Sequence, residues 1–185
     1  MPYSPAPACR SPRAVPVSLS GIAAYLLLWA GAATGVLTSS DAVRRRAGWL
    51  NASVHETLSL AGLGVALLHS AQSVIAPQGV RLDILVFTGP LAMGSGLPAG
   101  VLALYLTAVS TVSFYLRRHL GGWWRGVHAL AYAAYGTALW HALAVGANAW
   151  LPPVRWFYAA STGVLAALTV LRLSAPVLAR TRAPS

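Results

Sequence analysis

Four histidines hold most of the chemistry this sequence can offer. His55 and His69 fall in one long apolar stretch, and His128 and His141 fall in another. An ionisable side chain at membrane depth is costly and marks a functional position by default, and neutral imidazole is the commonest metal ligand. The two stretches are the second and fourth of five, so they cross a membrane in the same direction. His55 and His128 then lie about one turn inside one end. His69 follows 14 residues later and His141 follows 13 residues later, a rise of ~20 Å at about 1.5 Å per residue. The four form two pairs at two matched levels, the arrangement that two stacked haems with bis-histidine ligation require. A lone histidine in a span is more often a hydrogen-bonded packing residue, but two pairs at matched depth favour ligation. Zinc is a poor rival, because each pair offers only two ligands where the ion takes three or four from protein. His119, in the Arg117-Arg118-His119 loop, reads as solvated.

The helices that carry these residues must also aim them. At about 100° per residue, 14 residues fall ~40° short of four turns, so His55 and His69 share a face. Thirteen residues fall ~140° short, so His128 and His141 need a kink, overwinding or a crossing angle to point the same way. Gly136, between them, is the expected weak point.

The composition fixes the setting. The chain has 185 residues, 57% hydrophobic and 9% charged, with mean hydropathy +0.63. Soluble domains carry about 25% charged residues, and Asp41, Glu56 and Asp83 are the only acids. A soluble enzyme and a disordered chain are both excluded, leaving an all-α membrane protein. Five stretches reach the ~20 residues a crossing helix needs: Val17–Ser39, Ala52–Ala76, Pro98–Leu116, Gly126–Ala147 and Trp156–Pro176. Residues 1–16 read as a disordered Pro-rich tail, 17–176 as the helical domain and 177–185 as a short cytoplasmic tail. The segment Gln78–Leu97 reads as an outer loop, with Pro98 opening the third helix. Gly94-Ser-Gly-Leu-Pro-Ala-Gly100 lacks the spacing of a nucleotide-binding loop. Cys9 has no partner for a disulfide, and it follows no apolar region of a signal peptide.

The net charge of +10 comes from 13 arginines without a lysine. They cluster between apolar runs, which marks topology and lipid contact and not nucleic acid. Four fall on the side of the N-terminus (Arg10, Arg13, Arg81, Arg155) and nine on the other. The positive-inside rule therefore puts the N-terminus outside and the C-terminus in the cytoplasm. Trp49, Trp123, Trp124, Trp150 and Trp156 fall at the span ends as an aromatic belt.

The segments His55-Glu-Thr-Leu-Ser-Leu, Leu68-His69, Tyr115-Leu-Arg-Arg118, Trp124-Arg-Gly-Val-His128-Ala-Leu-Ala-Tyr132 and Leu139-Trp-His141 resemble the ferric reductase-like transmembrane family. That family includes ferric reductases, the membrane half of NADPH oxidases and the haem-binding subunit of a methionine sulfoxide reductase system. The resemblance covers roughly residues 17–175, and the histidine quartet is its specific part. It implies transmembrane electron transfer through two b-type haems, an inner one held by His55 with His128 and an outer one by His69 with His141. The sequence departs from the family in showing five spans where six are common. It also shows no FAD or NAD(P)H domain after the last span. The expected role is an oxidoreductase subunit of a bacterial plasma membrane. Its electrons would come from a separate flavin reductase or from quinol. They would pass to an extracytoplasmic acceptor such as ferric chelate, oxygen or a redox protein.

Arg44, Arg45, Arg46, Arg117, Arg118 and Arg125 can pair with inner-haem propionates, although topology and lipid phosphate are the better explanation of any one of them. Trp124, Tyr132, Tyr135 and Trp140 are candidates to pack on porphyrin faces. Glu56 is placed to orient a ligand, to accept from an arginine or to snorkel. The competing readings are a cytochrome b anchor of a quinone-linked dehydrogenase and a non-enzymatic haem-binding or transport subunit.

Overall fold

A computed structural model describes residues 14–75, 96–146 and 148–181, and every regular element among them is helical. Most of the predicted tail and outer loop, with Arg10, Arg13, Arg81, Asp83 and Arg182, lies outside the described residues, as do the side chains of Arg44 and Arg180. The long helices are α1 (Ala14–Thr38), α3 (Ala52–Ile75), α4 (Leu97–Tyr115) and α8 (Pro152–Thr181), and all four are long and apolar enough to cross a bilayer. The chain is a multi-pass, all-α membrane protein. In lipid a spanning segment must satisfy its own backbone, which the helix alone does without a partner strand. Short helices α2 (Asp41–Arg46) and α5 (Arg117–Leu120) and a 3₁₀ turn (Gly121–Trp123) hold the Arg-rich connections.

The predicted span Gly126–Ala147 differs from the other four. It divides at Ala129 into α6 (Trp124–His128) and α7 (Leu130–Val145). The break comes immediately after His128, where Tyr132 N–H bonds Ala129 O at 3.1 Å, one residue tighter than the α-helical pattern. The expected weak point at Gly136 is not used, since Gly136 lies inside unbroken α7. The first helix also begins earlier than Val17, at Ala14.

Packing is a square of four helices. Helix α1 packs along α3, α3 against α4, α4 along α7 and α7 back against α1. The histidine-bearing helices α3 and α6–α7 thus stand on opposite corners, with α1 and α4 on the other two. Helix α8 lies outside the square against α1. The α1–α3 pair is antiparallel and closely approached: Gly31 of α1 lies over Ser59, and Gly62 of α3 lies over Leu27 and Leu28. Small residues at such contacts let helix backbones come close, which is how helices associate where lipid is as apolar as the side chains.

A ring of hydroxyls binds α8 to the square. Tyr25 OH meets Tyr135 OH at 2.6 Å and Ser161 Oγ at 2.7 Å, and Tyr135 OH meets Thr162 Oγ1 at 3.0 Å. Ser161 and Thr162 both reach Tyr158 O, at 3.1 and 2.8 Å, which closes the ring. Trp29 Nε1 donates to Ser161 O at 2.8 Å alongside. Tyr25, Tyr135 and Tyr158 are buried, together with Ala33, Val36 and Leu165.

Candidate functional site

The square brings the four histidines together as two pairs. The ring centroids of His55 and His128 are 6.0 Å apart with planes at 85°. Those of His69 and His141 are 6.3 Å apart with planes at 73°. Two metal–nitrogen bonds of about 2 Å, plus the offset of each nitrogen from its ring centre, put two imidazoles on one metal roughly 6 Å apart. Both pairs have that spacing.

Hydrogen bonds decide which nitrogen carries the proton. His55 Nδ1 lies 2.9 Å from Gly31 O, His128 Nδ1 3.0 Å from Ser110 O and His141 Nδ1 3.0 Å from Gly96 O. A carbonyl only accepts, so each of these neutral rings has its proton on Nδ1 and its lone pair on Nε2. His69 Nδ1 meets Ser20 Oγ at 3.1 Å, and that hydroxyl donates to Gln72 Oε1 at 2.6 Å. Such outward bonds from the far ring nitrogen are the usual support of a metal-bound histidine.

The supporting helices α1 and α4 also make room for the rings. A Cβ on Gly35 would lie 2.9 Å from His55 Cε1, and one on Gly21 would lie 3.0 Å from His69 Cε1. A Cβ on Gly100 would lie 2.5 Å from His141 Nδ1. Gly21 and Gly35 are 14 residues apart, as are His69 and His55, so the antiparallel register serves both levels at once. Gly96 opens α4 in the left-handed conformation, φ +73°, which favours glycine. Its carbonyl is the one that holds His141.

Between His55 and His128 lies a partly open pocket lined by Leu28, Gly31, Thr107, Ser110, Phe114 and Tyr115 among others. Its hydroxyls turn away from it: Thr107 bonds Ala103 O at 2.7 Å, and Ser110 bonds Thr107 O at 3.1 Å. The walls facing the space are thereby apolar. Among the described residues no three His, Cys, Asp or Glu side chains gather where a metal could bind. A metal held by one of these pairs would take its remaining ligands from a cofactor. A flat macrocycle that supplies four of its own, with two axial positions left over, fits the donor set.

The other predicted site residues divide. The Trp124 ring packs 5.5 Å from the His128 ring, at the edge of the inner site. Arg45, Arg46, Arg118 and Arg125 are exposed on the loops and helix ends at the His55–His128 end of the square. Tyr132 and Trp140 are 48% and 60% exposed and do not line the His55–His128 pocket, and Tyr135 belongs to the hydroxyl ring. Glu56 is engaged by Tyr115, whose hydroxyl donates to it at 2.6 Å. Arg117 folds over the Phe114 ring, 4.2 Å from its centroid, and bonds Phe114 O at 2.9 Å. His119 is exposed. The residues that reading the sequence missed are the supports: Gly21, Gly31, Gly35, Gly96, Gly100, Ser20, Gln72 and Ser110. The spacing shared by Gly21–Gly35 and His55–His69 was the available signal.

Comparison with family models, with curated proteins and with solved structures finds no match for this chain.

Proposed function

We propose that this protein carries electrons across a membrane through two b-type haems, the inner held by His55 and His128 and the outer by His69 and His141. The observation that carries this reading is that both pairs, about 20 Å apart along the bundle, combine metal-bridging ring spacing with an Nδ1 tied outward. A haem held by such a histidine pair would supply outer-sphere electron transfer in place of chemistry at the metal. The chain's own part is to fix the tautomer of each ligand and to keep each ring's rotation within a narrow range. It also walls the space with apolar side chains, which holds water away and sets the local dielectric.

In this reading the protein is a ferric reductase-like oxidoreductase subunit of a bacterial plasma membrane, with its C-terminus in the cytoplasm. Electrons enter from a flavin reductase or quinol and leave to an extracytoplasmic ferric chelate, oxygen or redox protein. The exposed Arg45, Arg46, Arg118 and Arg125 lie at the inner end, where haem propionates, lipid phosphates or an acidic donor protein would meet them.

The deciding experiment is purification in mild detergent, followed by reduced-minus-oxidised spectra and a pyridine haemochrome titration. Two low-spin b haems per chain, unreactive to carbon monoxide, are expected. Protein that stays free of haem after expression with adequate haem supply overturns the reading.

A further inference from the structure

Three of the four histidines are held by backbone carbonyls, those of Gly31, Ser110 and Gly96. At His69 the Nδ1 contact is a side-chain hydroxyl, Ser20 Oγ at 3.1 Å, whereas the hydroxyl at His128, Ser113 Oγ at 3.4 Å, is a longer second contact beside the carbonyl. A carbonyl has no proton to give, so it fixes the tautomer whatever else changes. A hydroxyl can donate as well as accept, so Ser20 could equally place its own proton on Nδ1 and force the ring's proton onto Nε2, the nitrogen a metal needs. Gln72 Oε1 takes the Ser20 proton at 2.6 Å. Ser20 then has only lone pairs to offer His69. Chained hydrogen bonds of this kind strengthen one another in a low-dielectric interior.

We infer that Ser20 and Gln72 are positioning residues that set the tautomer and basicity of His69, so that one ligand of the outer site is tuned by side chains while His55, His128 and His141 are each held by a backbone carbonyl. This rests on the reading of the pairs as haem ligands and extends it to a difference between the two sites. A ligand whose Nδ1–H bond is lost is less basic and stabilises the ferric state less. The reduction potential of its haem therefore rises.

The test is a potentiometric titration of the full-length protein, followed in the b-haem absorbance band, on wild type, Ser20→Ala, Ser20→Thr and Gln72→Leu. The outer component is assigned with His141→Leu, which retains the inner haem alone. In Ser20→Ala the outer component is expected to move to higher potential and its haem to bind about 10- to 100-fold more weakly, with the inner component unmoved. Gln72→Leu is expected to move the same component the same way by less. Ser20→Thr, which keeps the hydroxyl, is expected to restore the wild-type value. Two bound haems with unmoved potentials in Ser20→Ala and Gln72→Leu overturn the inference and leave the haem reading standing. If Ser20→Ala does not accumulate, Gln72→Leu alone decides by the same criterion. Wild-type protein without haem overturns both.

Discussion

Gly100 sits directly under the imidazole of His141: a Cβ built on it would lie 2.5 Å from Nδ1, and the ring's hydrogen bond runs to the carbonyl of Gly96, one turn earlier on the same helix. One turn of α4 therefore supplies both the space for the ring and the acceptor that orients it. The Gly100→Ala variant is expected to displace His141 and lose the outer haem, halving the haem-to-protein ratio. Overpacking of this kind costs about 1–3 kcal/mol. Gly136→Ala, with nothing within 4 Å of the added methyl, is the control and is expected to keep both haems. Equal haem content in the two variants would contradict the proposed role of the glycine.

His69→Leu and His141→Leu are each expected to retain one haem per chain, and His55→Leu and His128→Leu likewise, with the lost component differing between the two sets. Pyridine haemochrome stoichiometry reads the number, and redox titration reads which component is gone. A variant pair that leaves the ratio at two would break the assignment of ligands.

The ring planes cross at 85° in the inner pair and 73° in the outer. Near-perpendicular axial imidazoles give ferric haem a strongly anisotropic low-spin paramagnetic signal, in contrast to the more rhombic signal of parallel rings. Low-temperature paramagnetic resonance of the oxidised protein is expected to show the anisotropic type at both sites. Ordinary rhombic spectra would mean that the rings turn on binding the cofactor.

Tyr25→Phe removes one hydroxyl from the ring that ties α8 to the bundle. A cost of about 1 kcal/mol is expected for the lost bond, seen as a lower melting temperature in detergent with two haems still bound. Loss of haem in this variant would place the ring in the cofactor site and not beside it.

A reporter fused after the last span is expected in the cytoplasm, as the arginine distribution requires. Active reporter on the outside would invert the assignment of inner and outer pairs.

Much of the architecture was legible in the sequence because bilayer thickness and backbone satisfaction leave few choices: long apolar stretches must be helices. The histidine pairs were legible because titratable groups are rare at that depth. The way His128 and His141 come to one side was not. The helix breaks at Ala129, a residue with high helix propensity. Nothing in its type announces a break, whereas Gly136, which does, stays helical. Tertiary contacts overrode local preference there, with His128 tied across to Ser110 O on the neighbouring helix. The supports were hidden for another reason. A glycine in an apolar run reads as helix-packing filler until its partner across the register is known, and the partners of Gly21, Gly35 and Gly100 belong to other helices.

The ring of Tyr25, Tyr135, Thr162, Tyr158 O and Ser161 has five contacts and only four hydroxyl protons to fill them. Ser161 and Thr162 both donate to Tyr158 O, so the protons of Tyr25 and Tyr135 are left to fill the other three contacts and one of these always lacks a proton. The two tyrosine protons can run toward Ser161 or toward Thr162, a change of hydroxyl rotation alone with no heavy atom displaced. Tyr135 stands between His128 and His141 along the chain, so these reorientable hydroxyls lie between the levels of the two pairs. The bundle thus keeps, in a region closed to water, a few groups that can answer a change of charge as solvent molecules would.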